Sequence, residues 1–289
     1  MIIVKLSGKL GNQMFQYALA LVLAKRNKTG ILCYIDARYW KFYLNAFDLP
    51  YHIAGIREVE RFTYSPIRKL NKVYRLLKNF MDLHLVLKEK NLNFDENILN
   101  VKSKNIYLDG HWQSEKYFRD NKNLIFEKFT IDKNIVFPEN ILQIANDICN
   151  CNSVCVCVRR GDYLSPENIK KYNVLKLDYY NKGIEIISAK IKNLKIFVFS
   201  DDIEWCKKNL TFDFPVVFMD YGTDLKVLCD FKLMTLCRHL VIANSTFSWW
   251  AAWLNKNSDK IVVAPEKWFA ESTYQSMSKD IIPEDWIKI

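Results

Sequence analysis

Residues 154–163 read VCVCVRRGDY, a valine-rich apolar run that ends in two arginines, a glycine and an aspartate. A run that is apolar at every position predicts a strand buried on both faces of a parallel sheet. Arg159 and Arg160 follow it at the carboxyl end, where open α/β sheets bind their ligands. Two guanidiniums at that position suit a diphosphate. From this run alone, a structural pair between an arginine and Asp162 is an equally good interpretation.

Apolar runs and helical patterns alternate on both sides of this strand. That order predicts an α/β fold with parallel sheets covered by helices. We place the domain junction at residue 150, which gives domains 1–150 and 151–289. The predicted strands are 2–6, 31–35, 105–109, 153–159, 196–200, 216–219, 240–243 and 261–264.

Length and composition exclude several classes of protein. Half of the 289 residues are hydrophobic, yet no apolar run reaches the 18 residues of a membrane-spanning helix. Residues 1–6 read as a strand and lack the features of a signal peptide, so we expect a cytoplasmic protein. The eight cysteines form no C-x-x-C pair and predict reduced, mostly buried thiols. Their alternate spacing at 149–157 does not suit a tetrahedral metal site.

The positive charge is concentrated in the N-terminal half. Residues 1–150 carry 23 basic and 15 acidic side chains, and residues 151–289 carry 19 and 17. Much of the excess falls in the segment 57–90, which also bears aromatic and leucine side chains. Such a segment can rest on the inner face of an anionic membrane, although a solvated helix face is the more common case. No RNA-binding motif or evenly basic face is present, so we expect no nucleic-acid partner.

A glycine turn, SGKLGNQ at residues 7–13, joins the first strand to a helix. It lacks the G-x-G-x-x-G pattern, which argues against a nicotinamide cofactor. Gly11, Asn12 and Gln13 bring two side-chain amides to a helix start, an arrangement that suits a ligand oxygen or phosphate. Alternatively, Asn12 caps the helix.

A second candidate follows the strand at 105–109. His111, Trp112 and Gln113 can face a sugar, because aromatic rings stack on its C–H face and amides bond its hydroxyls. An equally good interpretation is a buried strand end that precedes a helix capped by Ser114.

A third candidate lies between the strand at 240–243 and the following helix. Asn244, Ser245, Thr246 and Phe247 place hydroxyls and backbone N–H groups at a helix start, which forms an anion site or an ordinary cap.

Acidic side chains in the second half have two interpretations each. Asp230 lies in an apolar helix and needs a partner, either the paired donors of guanine or, as the spacing favours, a nearby lysine or arginine. Asp201 and Asp202 can bind a metal, but they are better placed to cap the next helix.

The chain resembles the bacterial α-1,2-fucosyltransferases of glycosyltransferase family 11. Four segments in the family's order carry the resemblance, and FSDD at 199–202 also fits. The four are GKLGNQMFQYA at 8–18, WQSEKYF at 112–118, RRGDY at 159–163 and IANSTFSWWAAW at 242–253.

The resemblance implies a GT-B-type fold of two Rossmann-like domains whose parallel sheets face a cleft. It implies transfer of fucose from GDP-fucose, with inversion and without a metal, to a galactose-terminated glycan. The donor is expected in domain 151–289 and the acceptor mainly in domain 1–150. Arg159 and Arg160 would hold the diphosphate beside Ser245 and Thr246. Asp230 would bind the guanine base, and Asn12 would contact the transferred sugar.

Two positions depart from the family pattern. Cys157 stands where a histidine usually precedes the paired arginines, so we expect lower donor affinity. Lys9 follows Gly8 where a second glycine is usual, and it either adds a cation or points to solvent.

The hypothesis that follows is inverting transfer in which the arginines stabilise the leaving diphosphate. Asp162 and Glu167 are the candidate bases, and either can be structural. The alternative is a non-catalytic protein that binds a nucleotide sugar or a glycan.

Overall fold

The computed structural model describes residues 1–63 and 84–289, which form two compact units. The first unit contains residues 1–132 and 279–281, and the second contains 133–278 and 282–289. The middle of the basic segment 57–90 lies outside the described residues, and its membrane contact stays a prediction. Among the described helices, none is both long and apolar enough to cross a membrane.

The first unit is built on a five-stranded parallel sheet with the order β3-β2-β1-β5-β4. Its apolar strands pair in register, with Val4 of β1 between Cys33 of β2 and Leu108 of β5. The strands are β1 (Ile2–Leu6), β2 (Ile31–Ile35), β3 (His52–Ile53), β4 (Leu85–Lys88) and β5 (Ile106–Asp109), and the helices are α1 (Leu10–Asn27), α2 (Ile56–Thr63), α3 (Glu96–Leu99) and α4 (Lys122–Lys128).

Helix α1 is the centre of this unit because its side chains are apolar on nearly every face. Met14, Phe15 and Tyr17 are fully buried, and the ring of Phe15 packs 6.0 Å from that of Phe118. The helix follows β1 directly, so its first turn lies at the carboxyl edge of the sheet.

The second unit contains a six-stranded parallel sheet with the order β11-β10-β9-β6-β7-β8. Its central strand is the valine-rich run, in which Val156 lies between Val198 and Val241 of the neighbouring strands. The strands are β6 (Asn152–Val158), β7 (Leu194–Ser200), β8 (Val216–Phe218), β9 (His239–Val241), β10 (Val262–Ala264) and β11 (Ile287–Lys288), and the helices are α5 (Glu139–Cys149), α6 (Leu177–Ser188), α7 (Ile203–Asn209), α8 (Lys226–Leu236), α9 (Thr246–Leu254) and α10 (Ser272–Ser276).

The boundary between the units differs from the predicted junction at residue 150. Helix α5 contacts β6 and α8, so it belongs to the second unit, and the chain divides after Asp132. A short return, residues 279–281, joins the first unit because Lys116 Nζ lies 2.7 Å from Asp280 Oδ1. A sequence pattern does not show against which sheet an amphipathic helix packs, which is why the predicted boundary lies later.

Candidate functional site

Arg160, directly after β6, is held so that part of its guanidinium stays available. Its Nε lies 3.2 Å from Asp202 Oδ2, and the guanidinium carbon stands 3.7 Å from the centre of the Trp205 ring. Its side chain is 17% exposed. Within the described residues, no hydrogen bond is found from its two terminal nitrogens. The fork is therefore oriented by a carboxylate and an indole while two donors remain for a ligand oxygen.

Arg159 is engaged more fully. Its Nη1 lies 2.8 Å from Asp201 Oδ2, and its Nη2 donates to Asp162 Oδ1. Gly161 makes this arrangement possible, because a Cβ at that position would lie 2.4 Å from Asp201 Oδ2. The structural pair between an arginine and an aspartate is thus present for Arg159. A diphosphate would bind this arginine only by sharing it with, or displacing, a carboxylate.

Asp201 and Asp202 organise the arginines rather than forming a separate acidic site. Asp201 Oδ1 accepts the backbone N–H of Arg160 at 2.9 Å. Asp202 caps α7, where its Oδ1 accepts the N–H of Trp205 at 3.3 Å, as the capping interpretation predicts. The part of the chain that the structure describes contains no cluster of three or more side chains suited to a metal.

The turn after β9 divides into buried and accessible parts. Asn244 is 1% exposed, and its Nδ2 donates to Asn173 O (2.9 Å) and Trp268 O (2.7 Å). Its amide therefore joins two loops, and the ligand contact of Asn244 stays a prediction. Ser245 occupies the cap position of α9, but its side chain makes no capping bond. Since β9 lies beside β6 in the sheet, the Ser245 hydroxyl and Arg160 share one edge.

Thr246 and Phe247 open α9. Thr246 is half-buried, and the ring of Phe247 packs 5.5 Å from that of Phe231 on α8. Phe247 thus connects α9, which begins at the candidate anion-binding turn, with α8, which carries Asp230, the candidate guanine-binding residue.

Asp230 on α8 already has partners in this structure. Its carboxylate accepts from Tyr221 Oη and lies 3.1 Å from Lys226 Nζ, one helical turn before it. This is the local lysine pair that the spacing favours. Burial raises the pKa of Asp230, while the bonds from Tyr221 and Lys226 oppose that shift. Guanine would have to replace at least one of these donors.

Gln13 holds the first turn of α1 to the loop that follows β2. Its Nε2 donates to Gly8 O (3.1 Å) and Lys41 O (2.7 Å), and its Oε1 accepts the N–H of Tyr43 (2.9 Å). The side chain is fully buried. These bonds make Gln13 a structural clamp, and its contact with the donor stays a prediction.

Asn12 and Gln113, predicted from different motifs, are in direct contact. Gln113 Nε2 donates to Asn12 Oδ1 at 3.0 Å, across the neighbouring ends of β1 and β5. Asn12 lies inside α1, whose cap position is Lys9, so it is not the cap. Gly8 has a φ of 74°, and a Cβ there would lie 2.3 Å from Asn12 Nδ2. The glycine therefore lets the turn close against the Asn12 amide, while Gly11 is buried in it.

Trp112 does not offer its ring to a ligand. It is 1% exposed and meets Tyr117 edge-on, with ring centres 5.8 Å apart. Its backbone is left-handed, with a φ of 56°. The strand end turns the Trp112 ring into the core, and its contact with an acceptor sugar stays a prediction.

Glu89, after β4, supports this turn, and the sequence interpretation did not single it out. Its two carboxylate oxygens accept the N–H groups of His111 (2.7 Å) and Trp112 (2.9 Å). Burial raises the pKa of Glu89, and the two backbone bonds oppose the shift. In the sequence, Glu89 is marked only as an acidic residue within the basic segment 57–90.

Cys157 is buried at the end of β6, with its sulfur 3.4 Å from that of Cys155. The Cys157 thiol therefore packs against that of Cys155 on one buried face of β6.

The family model of glycosyl transferase family 11 matches residues 1–289. The chain belongs to glycosyltransferase family 11. The family predicted from the four motifs is thereby confirmed.

Curated relatives of this family 11 chain come from bacteria and animals. The O-antigen biosynthesis glycosyltransferase WbnK of Escherichia coli is 33% identical over 98% of this chain and 99% of its own length. The alpha-1,2-colitosyltransferase of Escherichia coli is 32% identical over 100% and 98%. Human galactoside alpha-(1,2)-fucosyltransferase 1 is 28% identical over 86% and 64%.

Solved structures share the fold of this family 11 chain at low identity. NodZ alpha-1,6-fucosyltransferase soaked with GDP-fucose has a TM-score of 0.50 and 16% identity, over 88% of this chain and 91% of its own. Arabidopsis thaliana FUT1 in complex with GDP has a TM-score of 0.53 and 11% identity, over 99% and 75%. The predicted class, α/β and GT-B-type with two Rossmann-like domains, is confirmed.

Proposed function

We propose that the chain transfers L-fucose from GDP-β-L-fucose to the 2-hydroxyl of a terminal galactose in a glycan, with inversion. The observation that carries the proposal is the Arg160 fork, oriented by Asp202 and Trp205 at the carboxyl end of the central strand. Such a fork suits a diphosphate leaving group. The alpha-1,2 linkage in the names of several relatives supports the regiochemistry.

The donor would bind along the carboxyl edge of the second sheet. The terminal nitrogens of Arg160 and the hydroxyl of Ser245 follow neighbouring strands, which stand about 4.8 Å apart in a sheet. Backbone N–H groups at the start of α9 add to an anion site there. Asp230 stays the predicted reader of guanine, whose two parallel donors would take the place of Tyr221 and Lys226.

The reaction is a single displacement. The acceptor O2 forms a bond to C1 of fucose as the bond from C1 to the diphosphate oxygen breaks, and the acceptor proton passes to a base. Negative charge grows on the departing GDP, where preorganised cations stabilise the transition state most effectively. Arg160 supplies that charge from a fixed position, and Arg159 would contribute once the diphosphate shares it with, or displaces, Asp201 or Asp162.

Asp162 is the base that we test first. It follows the arginines and accepts from Arg159, so Asp162→Asn keeps its shape while removing its charge. If Asp162 deprotonates the acceptor, the substitution lowers kcat by about 10²–10⁴. Full activity would assign the carboxylate to holding Arg159, and Glu167 would be tested next.

The proposed reaction needs no metal. Asp201 and Asp202, the acidic pair that could otherwise bind a metal, contact the two arginines, and Asp202 also caps α7. Fixed guanidiniums offset the diphosphate charge in the role that a divalent cation would otherwise fill.

Colitosyl transfer is the second candidate, since one relative of that name matches across the whole chain at 32% identity. Colitose is fucose without its 3-hydroxyl, so the two donors present the same diphosphate and the same reacting carbon. A site that hydrogen-bonds the 3-hydroxyl discriminates strongly against the deoxy donor, because its polar groups would be left unpaired.

A donor panel tests the proposal. Purified protein is incubated with lactose and EDTA and with GDP-fucose, GDP-colitose, GDP-mannose or UDP-galactose, and the released nucleotide is measured. We expect turnover with GDP-fucose that EDTA does not reduce. Preference for GDP-colitose would establish the second candidate. GDP binding without turnover of any donor would establish a non-catalytic binding protein.

A further inference from the structure

Two large aromatic side chains stand exposed in the loop that follows β2. Tyr39 is 71% exposed and Trp40 is 43% exposed. Tyrosine and tryptophan carry large apolar faces, and side chains of this kind left in solvent as a pair mark binding surfaces. The motifs of the sequence analysis do not include this loop.

The loop is ordered by short bonds to one aspartate. The backbone N–H groups of Tyr39 and Trp40 both donate to Asp36 O at 3.0 Å. The Arg38 guanidinium lies on the same residue, with Nε 2.9 Å from Asp36 Oδ1 and Nη2 2.7 Å from Oδ2. The two rings are thus presented from a fixed turn, so a ligand need not order the backbone when it binds.

The loop is also attached to the candidate site in the first unit. Gln13, buried in α1, bonds Lys41 O and the N–H of Tyr43, while the adjacent residue, Asn12, accepts from Gln113. Strands β2, β1 and β5 are neighbours in that order. Tyr39 and Trp40 therefore lie in the loop that leaves the strand next to β1, and the turn that carries Asn12 follows β1 itself.

We propose that Tyr39 and Trp40 form a stacking platform for the sugar that precedes the galactose in the acceptor. This deepens the proposed function and rests on it. Aromatic faces pack on the C–H face of a pyranose, and Lys41 adds a donor for hydroxyl groups. A glycan is favoured over a lipid surface because Asp36 neutralises Arg38, which removes much of the positive charge that attracts anionic lipid.

Acceptor length tests the platform. Transfer by the wild-type chain, Trp40→Ala and Tyr39→Ala is measured with methyl β-galactoside, which has no preceding sugar, and with lactose, which has one. We expect Trp40→Ala to raise KM for lactose about 10-fold, with kcat unchanged, and to alter kcat/KM for methyl β-galactoside less than twofold. Trp40→Phe should restore most of the lactose KM. Ile53→Ala is the control, since Ile53 is exposed on β3 of the same sheet.

Binding of lactose without donor, followed by saturation-transfer NMR, separates the platform from the reaction. Loss of the lactose signal in Trp40→Ala, with the signal kept in Ile53→Ala, supports the platform even if no donor is turned over. An unchanged lactose KM or signal in Trp40→Ala overturns it. Reduced sedimentation of Trp40→Ala with phosphatidylglycerol vesicles, with lactose kinetics unchanged, would also overturn it and assign the rings to a membrane surface.

Discussion

Replacement of Arg160 by lysine isolates the geometry of the fork from its charge. Lysine keeps one positive charge but carries its three N–H donors on a single nitrogen, which cannot bond Asp202 from the position of Nε and also present two planar terminal nitrogens to a ligand. The present side chain spans 3.2 Å to Asp202 and lies 3.7 Å from the Trp205 ring centre. We therefore expect the loss of one charge-assisted hydrogen bond to the leaving group, about 1.5–3 kcal/mol.

That free energy corresponds to a 10- to 100-fold fall in kcat/KM for GDP-fucose, at about 1.4 kcal/mol for each factor of ten. Arg160→Ala removes the charge as well and should cost on the order of 10²–10³ in rate. The assay is initial-rate GDP release at saturating lactose. Arg238→Lys is the matched control, because Arg238 precedes β9 at the opposite edge of the same sheet, where it bonds Asn152 at 3.0 Å. Activity of Arg160→Lys within twofold of the wild type would refute the reasoning.

Three other perturbations give separate readouts. Trp205→Leu removes the ring beneath Arg160 and should lower kcat/KM about 2- to 30-fold, since a cation–π contact contributes roughly 0.5–2 kcal/mol; unchanged kinetics would contradict this. Gly8→Ala puts a Cβ 2.3 Å from Asn12 Nδ2 at a φ of 74°. We therefore expect at least a 10-fold fall in activity and a lower Tm. Wild-type activity and Tm in this variant would show that the turn accommodates a Cβ without strain. Burial lowers the pKa of His239 below its ordinary value of 6.5. As pH falls, the imidazole is therefore protonated in the unfolded chain at a higher pH than in the folded protein. The free energy of unfolding should fall below about pH 6.5, by up to about 1.4 kcal/mol per pH unit. Urea unfolding at pH 7.5 and 5.5 measures this, and the fall should be smaller in His239→Gln.

The strands and the ligand-binding edges of both sheets could be predicted from the sequence, because apolar strands and glycine turns are local signals. Residues 154–158 are apolar at every position and form the centre of the second sheet. The helix cap formed by Asp202 and the ion pair of Asp230 with Lys226 could also be predicted from the sequence, since each involves residues at most four positions apart.

The remainder depends on residues that are distant in sequence. Gln13 is clamped by Lys41 and Tyr43, about thirty positions away, so its amide looks available only in the sequence. Trp112 turns inward because Glu89 holds its backbone from another strand. The Arg160 fork depends on Trp205, 45 positions on, and no local sequence pattern pairs these two residues.

The linkage of the product tests the central claim most directly. Wild-type protein is incubated with GDP-fucose, lactose and EDTA, and the isolated trisaccharide is analysed by NMR for its anomeric configuration and point of attachment. We predict an α-linked fucose on O2 of galactose, which shows inversion of the β-linked donor and the regiochemistry together. A β-linked product, a different attachment point, or no trisaccharide with any donor of the panel would contradict the account.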